Sequence, residues 1–246
     1  MRKIGLLGGM SWESTAVYYR LINEALRDRK GGLASADILM RSLDFQTIVD
    51  LQRADRWDDA ARTLSSAARG LEKAGADCIL ICTNTMHLCA DAVQEACDTP
   101  VIHIIDETAK AIRQAGLKRP LLLATRYTME HGFYAERMWR QDVHVQIPSP
   151  DDRLICHNAI FDELCQGVVS EEARQALIDM TARGKAAGCD CVILGCTELG
   201  LSVAAEDLPL PCFDSTHIHA RAAVDFALGG QAITPMRAEA LQGAYI

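Results

Sequence analysis

Two stretches decide how this chain reads: Ile79-Leu80-Ile81-Cys82-Thr83-Asn84-Thr85-Met86-His87 and Val192-Ile193-Leu194-Gly195-Cys196-Thr197-Glu198-Leu199-Gly200. Each is a short apolar, mostly β-branched run that stops at a cysteine followed at once by threonine. Apolar runs of that length, bounded by turn residues, read as buried strands of a parallel sheet. Open α/β sheets bind ligands beyond the carboxyl ends of their strands, so each phrase delivers a thiol and a hydroxyl to that edge. Two such phrases predict two half-sites facing each other across one cleft, with chemistry from both sides of a small substrate.

Working outward, the two phrases have matching surroundings. Gly75-Ala76-Asp77-Cys78 and Gly188-Cys189-Asp190-Cys191 align as helix end, turn and strand start, and both glycines are expected as left-handed helix caps. Ile4-Gly5-Leu6-Leu7-Gly8-Gly9 and Leu121-Leu122-Leu123-Ala124-Thr125 align as opening strands. The predicted fold class is α/β, with two similar parallel-sheet, Rossmann-like domains related by a pseudo-twofold and the site in the cleft between them. Residues 1–105 with 216–246 form the first domain and 106–215 the second. Strands are expected near Lys3–Leu7, Asp37–Leu43, Asp77–Cys82, Val101–Ile104, Pro120–Ala124, Val143–Ile147, Asp190–Gly195 and Pro211–Phe213. Helices are expected over Ser14–Arg29, with Ser11 as N-cap, and over Trp57–Ala74. A last helix, Thr216–Leu228, returns to the first domain, and Gly229–Ile246 reads as a tail.

Composition narrows the function. With 49% hydrophobic and 24% charged residues, the 246-residue chain has the balance of a soluble globular protein. A formal charge of -8, without any Lys/Arg run, argues against a nucleic-acid partner. No apolar stretch reaches the roughly 18 residues of a membrane span, and the short apolar N-terminus reads as a first strand, so a cytoplasmic location is expected. There the ten cysteines are expected as reduced thiols. Cys78, Cys89, Cys97, Cys165 and Cys212 sit among aliphatic residues as small hydrophobes. Cys78, Cys82, Cys189 and Cys191 are the only candidate metal ligands. Their C-x3-C and C-x-C spacings lie in strands, not in the turns from which zinc ligands converge, so no metal is expected. None of the six lysines stands at a strand's carboxyl end beside glycines, which argues against pyridoxal phosphate. The loop Gly5-x-x-Gly8-Gly9 is neither a dinucleotide nor an ATP fingerprint. It suits a carboxylate at a helix N-terminus, or simply a tight turn.

The two cysteine phrases together resemble the aspartate/glutamate racemase family, whose members work without cofactor through two cysteines on opposite sides of a cleft. Val192-Ile193-Leu194-Gly195-Cys196-Thr197-Glu198 matches the second family signature throughout. Ile81-Cys82-Thr83-Asn84-Thr85 matches the variant of the first that carries one residue between cysteine and asparagine. The resemblance runs to about Leu228, includes Gly8-Gly9-Met10-Ser11-Trp12-Glu13-Ser14, and is nearest to racemases specific for L-aspartate and L-glutamate. It implies an isomerase for a small amino acid, no cofactor, and a homodimer. It also implies Cys196 as the catalytic thiol, with the opposite position held by Thr83 or Cys82. Alternation along a strand favours Thr83, with Cys82 packed behind it.

The chemistry fills in the remaining candidates. Removing the α-hydrogen of an amino acid without pyridoxal phosphate calls for a modest base, for which a thiolate of tuned basicity is the expected agent, and for fixed donors to the carboxylate. Asn84, Thr85, Thr197 and the loop containing Met10 are the expected donors. Gln52, with Arg53 beside it, is expected to read polar groups of the substrate, and Glu163 to hold its ammonium. His87 follows the first phrase as a supporting group, while His217 and His219 read as structural. A decarboxylase or maleate-isomerase-like enzyme working through one cysteine, or a carboxylate-binding protein without turnover, are the competing readings.

Overall fold

The computed structural model describes residues 1–230, so the expected tail lies outside the described residues beyond Gly230. Two compact units emerge among the described residues: Met1–His103 with residues 220–230, and Ile104–His219.

The first unit is built on a parallel sheet of order β2-β1-β3-β4. Its strands are β1 (Ile4–Gly8), β2 (Ile38–Ser42), β3 (Cys78–Ile81) and β4 (Val101–Ile102). Every residue of β1 and β3 is buried, as befits central strands covered on both faces. One face is covered by α1 (Trp12–Lys30), whose Tyr18, Ile22 and Leu26 recur at helical spacing against Ile4, Leu6 and Leu80. The other face takes α2 (Phe45–Arg53) and α3 (Trp57–Lys73), with Ile48, Leu64 and Leu71 against Leu7, Ile79 and Ile81. Each such buried aliphatic side chain contributes on the order of 1.5–3 kcal/mol. The helix Ser215–Ala227 starts in the second unit and ends in the first. Its Ala220, Ala223, Val224 and Phe226 join the core on the α1 side. The Arg2 N–H donates to Ala227 O over 3.1 Å, which ties β1's entry to the end of that helix.

The second unit repeats the plan with β5 (Pro120–Leu123), β6 (Cys191–Leu194) and β7 (Cys212–Asp214), all parallel, in the order β5-β6-β7. The strand expected over Val143–Ile147 does not form. Gln146 alone bridges to Leu121, with Gln146 N–H donating to Pro120 O and Leu122 N–H to Gln146 O, both at 2.8 Å. Pro148 has no N–H to extend the ladder, and Ser149 already caps the helix Pro150–Asn158. The strand expected to reach Ile104 stops at Ile102, because Ile104 opens the helix Ile104–Gln114. The other expected strands and helices are present, with ends shifted by a residue or two.

Local chemistry explains the turns nearest the strand ends. Ser11 caps α1, its Oγ accepting from Ser14 N–H at 3.2 Å. Gly75 and Gly188 take φ of 91° and 90°, as left-handed caps do. Gly9 has φ 85°, and a Cβ there would lie 2.2 Å from Leu43 O. We expect Gly9→Ala to destabilise the chain by at least about 2 kcal/mol, since both the dihedral and the space exclude a side chain. Urea unfolding tests this, and a change below about 0.5 kcal/mol would show that the loop relaxes freely.

Candidate active site

In each unit the reactive phrase follows the strand next to the opening strand. There the connections diverge to opposite sides of the sheet, the place where α/β sheets receive ligands. The last ladder contacts are equivalent. Leu7 lies opposite Ile81 and Leu123 opposite Leu194. The following residue then donates its N–H to that neighbour's carbonyl: Cys82 to Leu7 O at 3.0 Å and Gly195 to Leu123 O at 2.7 Å. Ile81 thus corresponds to Leu194, Cys82 to Gly195, and Thr83 to Cys196.

This register separates the two neighbours in the first phrase. Cys82 is fully buried with Leu6, Tyr18, Ile22 and Leu80. Its backbone is clamped on both sides, because Ser14 Oγ–H donates to Cys82 O at 3.0 Å. Burial pushes its thiol far above the ordinary cysteine value. Thr83 is partly exposed. Its N–H donates to Ile81 O and its carbonyl meets His87 Nδ1, both at 2.8 Å. Asn84 and Thr85 follow as buried residues at the start of a short 3-10 turn, Thr85–Cys89. Buried Gln52 reaches the same turn, its Nε2 donating to Met86 Sδ at 3.0 Å, while Arg53 is exposed. Met10 is buried in the cluster that contains Met86 and Ile81. The Gly9 N–H, which the glycine pair suggested for an anion, donates instead to Thr15 Oγ1 at 2.8 Å. The first unit therefore gathers Met10, Gln52, Thr83, Asn84, Thr85 and His87 at one sheet edge, and Gly9 serves the turn.

In the second unit Cys196 is half-buried, with its Sγ–H directed at Glu198 Oε2 over 2.9 Å. The Thr197 hydroxyl donates to the same oxygen at 2.5 Å, and Glu198 is itself buried. Burial first, and then the Glu198 carboxylate beside it, push the Cys196 thiol well above the ordinary value; the nearby Cys165 adds to this. The resting group is therefore a thiol. Glu163 sits at the end of a π-helical turn, Ala159–Glu163, and accepts from Ser170 Oγ–H at 2.5 Å. His217 is exposed and His219 fully buried.

Residues 7–223 match the model of a family described as Asp/Glu/hydantoin racemase. The chain belongs to that racemase family. It is 47% identical to a Yersinia pestis protein of known structure, provisionally described as an Asp/Glu racemase, over 93% of this chain and 100% of that one, with a TM-score of 0.88. An aspartate racemase homologue from Pyrococcus horikoshii OT3 is 32% identical, with a TM-score of 0.83 over 93% and 100% of the two chains. The broad specificity amino-acid racemase RacX of Bacillus subtilis (strain 168) is 25% identical over 93% of this chain and 99% of its own. Racemases are isomerases, and that is the enzyme class of this chain.

Within this racemase-family chain, Glu198 is the site residue that sequence reasoning left out. The clue was its place directly after Cys196-Thr197 in the second phrase. Cys165 gave no clue, because only the fold brings it near Cys196. Among the described residues no group of three His, Cys, Asp or Glu side chains forms a metal site, and no helix is long and apolar enough to cross a membrane. If Glu198 holds the thiol protonated, Glu198→Gln lowers the Cys196 pKa, because a neutral amide no longer opposes the thiolate. Alkylation of Cys196 by iodoacetamide, followed by peptide mass, then speeds up by about tenfold or more at pH 8. Equal rates in the two proteins would separate Glu198 from the thiol's titration.

Proposed function

We propose that this chain is a cofactor-independent amino-acid racemase that interconverts L- and D-aspartate or glutamate. In this reading Cys196 moves the α-proton and Thr83 occupies the opposing position. The observation that carries it is the equivalence of Thr83 and Cys196 at the ends of two matched strands, with a carboxylate within hydrogen-bond reach of the single thiol. The names of the relatives support acidic amino acids as the substrate class.

The proton inventory runs through Glu198. Transfer of the Sγ proton to Glu198 Oε2 yields a thiolate and a carboxylic acid, with no change in the charge of the pair. The thiolate takes the Cα hydrogen, becoming a thiol again, and leaves an enediolate-like carbanion. Once that thiol proton has exchanged with solvent, reprotonation by the same thiol returns the starting enantiomer with an exchanged hydrogen; protonation by a solvent water on the other face inverts it, and the Glu198 acid returns its proton to the hydroxide left behind. Asn84 and Thr85 supply donors for the substrate carboxylate, with Gln52 and Met10 behind them. Glu163 receives the ammonium. A threonine hydroxyl is far too weak an acid or base to begin the reaction from its own face. The enantiomer whose hydrogen faces Cys196 is therefore the better starting point, and the family resemblance suggests that this is the L-enantiomer.

A second reading has one supporting observation: a resting thiol without a second thiol opposite suits an enzyme that only protonates an enediolate, as a decarboxylase does. Deuterium exchange separates the two, because a racemase incorporates solvent deuterium at Cα of aspartate or glutamate and a decarboxylase of other acids does not.

Three outcomes are expected in heavy water without added cofactor. Cys196→Ala loses about 10³-fold or more in exchange and inversion, the scale for removing a required acid or base; retention within tenfold removes Cys196 from the mechanism. Thr83→Cys raises exchange from the D-enantiomers, while Cys82→Ala leaves exchange intact. A dead Cys82→Ala beside an active Thr83→Ser would reverse that assignment. In the parent protein exchange from L outruns inversion, whereas kcat/KM for net inversion is equal in both directions, since enantiomers have equal free energy. Equal initial exchange from both enantiomers would demand a second competent base.

A further inference from the structure

With Thr83 read as the position opposite Cys196, on which this step rests, we propose that His87 is the positioning residue of the face that lacks a thiol. Braced by His103, it fixes the Thr83 carbonyl and with it the direction of the Thr83 hydroxyl, and so governs inversion apart from exchange. Once the ladder has ended, Thr83 is held from both sides. On its N-terminal side, Cys82 O accepts from Ser14 Oγ–H at 3.0 Å and Thr83 N–H donates to Ile81 O at 2.8 Å. On its C-terminal side, Thr83 O lies 2.8 Å from His87 Nδ1. A peptide unit is planar, so two flanking units that are both held leave their residue one φ, one ψ and one direction for its Cβ. A carbonyl oxygen only accepts, so His87 carries a proton at Nδ1 and donates it. The main-chain N–H of His87 donates to Asn84 O at 3.0 Å, which ties the histidine into the turn whose start it clamps.

The two units differ at this point. The ladder equivalence that aligns Thr83 with Cys196 aligns His87 with Gly200. β4 lies beside β3 as β7 lies beside β6: Leu80 pairs with Ile102, and its counterpart Ile193 pairs with Phe213. The next residues, His103 and Asp214, therefore correspond. Both units bring these two positions together. A Cβ at Gly200 would lie 3.2 Å from Asp214 Oδ2, and the rings of His87 and His103 stand 4.7 Å apart at an interplanar angle of 59°. The second unit leaves the place to a glycine, and its main chain takes the Cys196 carbonyl, through Leu199 N–H at 3.3 Å. The first unit fills the place with two imidazoles, only 3% and 7% exposed. A tilted ring contact of this kind fixes the plane of the His87 ring, and so the aim of Nδ1. The unit without the thiol is thus the one whose strand end is held by a side chain. A thiol carries its own transferable proton. A threonine hydroxyl serves only by where it points, because it orients the water that protonates the carbanion from that face.

Heavy water separates the two faces. Starting from the enantiomer whose hydrogen faces Cys196, retained product carrying deuterium reports return by the thiol, and inverted product reports protonation at the Thr83 face. Both arise from the same bound carbanion, so weaker binding or less folded protein lowers them together and cancels in their ratio. His87→Leu lowers the ratio of inversion to exchange by about fivefold or more, within the range that a misplaced group costs. His87→Asn, whose side-chain N–H takes the place of Nδ1–H, restores the ratio to within about twofold of the parent. His103→Ala, which removes the brace, moves the ratio in the same direction as His87→Leu. In the parent protein the imidazole nitrogen resonances of His87 show a proton at Nδ1, a readout independent of activity and of any variant's folding. An unchanged ratio in His87→Leu or His103→Ala, no rescue by His87→Asn, or a His87 protonated at Nε2 alone overturns the proposal. Thr83→Val tells that failure from a failure of the reading beneath it. A lowered ratio in Thr83→Val beside an unchanged one in His87→Leu sinks the role of His87 alone. An unchanged ratio in Thr83→Val, or a parent protein that exchanges no Cα hydrogen, sinks both.

Discussion

The last ladder bond of each site strand, Cys82 N–H to Leu7 O and Gly195 N–H to Leu123 O, decides which side chain leaves the sheet for the loops. A strand alternates its side chains between faces, so one residue of register is the difference between a group in the core and a group at the sheet's edge. In the second unit that position carries the thiol of Cys196. In the first it carries the hydroxyl of Thr83, while the thiol falls one residue earlier and is packed against Tyr18 and Leu80. The corresponding residue in the second unit is glycine, where a Cβ would lie 2.9 Å from Leu122 Cδ1 and 3.0 Å from Ala124 Cβ. The two strand ends share a backbone plan and differ in chemistry.

What surrounds the thiol is a carboxylate, which has the opposite effect from the usual activation of a catalytic cysteine. A helix N-terminus or a cation lowers a thiol's pKa; here burial and Glu198 raise it. The group at rest is an acid with an acceptor attached. That arrangement disfavours the thiolate and leaves the Sγ–H directed at Oε2 over 2.9 Å.

Much of this was legible in the residues. Continuous apolar runs marked the buried strands, Ser11 and the two cap glycines marked helix ends, and the repeated cysteine phrase marked the sheet edges. Val143–Ile147 misled because its alternation is strand-like, although Pro148 and the cap at Ser149 end the ladder after one bridge. Gly8-Gly9 misled for another reason. Glycine pairs serve anions and tight packing equally, and only the Thr15 hydroxyl, which comes from the first turn of α1, shows where the Gly9 N–H goes. Glu198 could be seen in the second phrase, but its contact with Sγ depends on a turn that no periodicity encodes.

The helix that crosses from one unit to the other sets an order of assembly on the ribosome. The second unit is a single continuous stretch, Ile104–His219, and all its strands exist once that stretch has emerged. The first unit, although it is synthesised earlier, lacks Ala220, Ala223, Val224 and Phe226 from its core until the whole second unit has been made. Domains tend to fold as units during synthesis, the N-terminal one first. In this chain the apolar face of β1 and α1 instead waits, partly uncovered, through the making of the whole second unit.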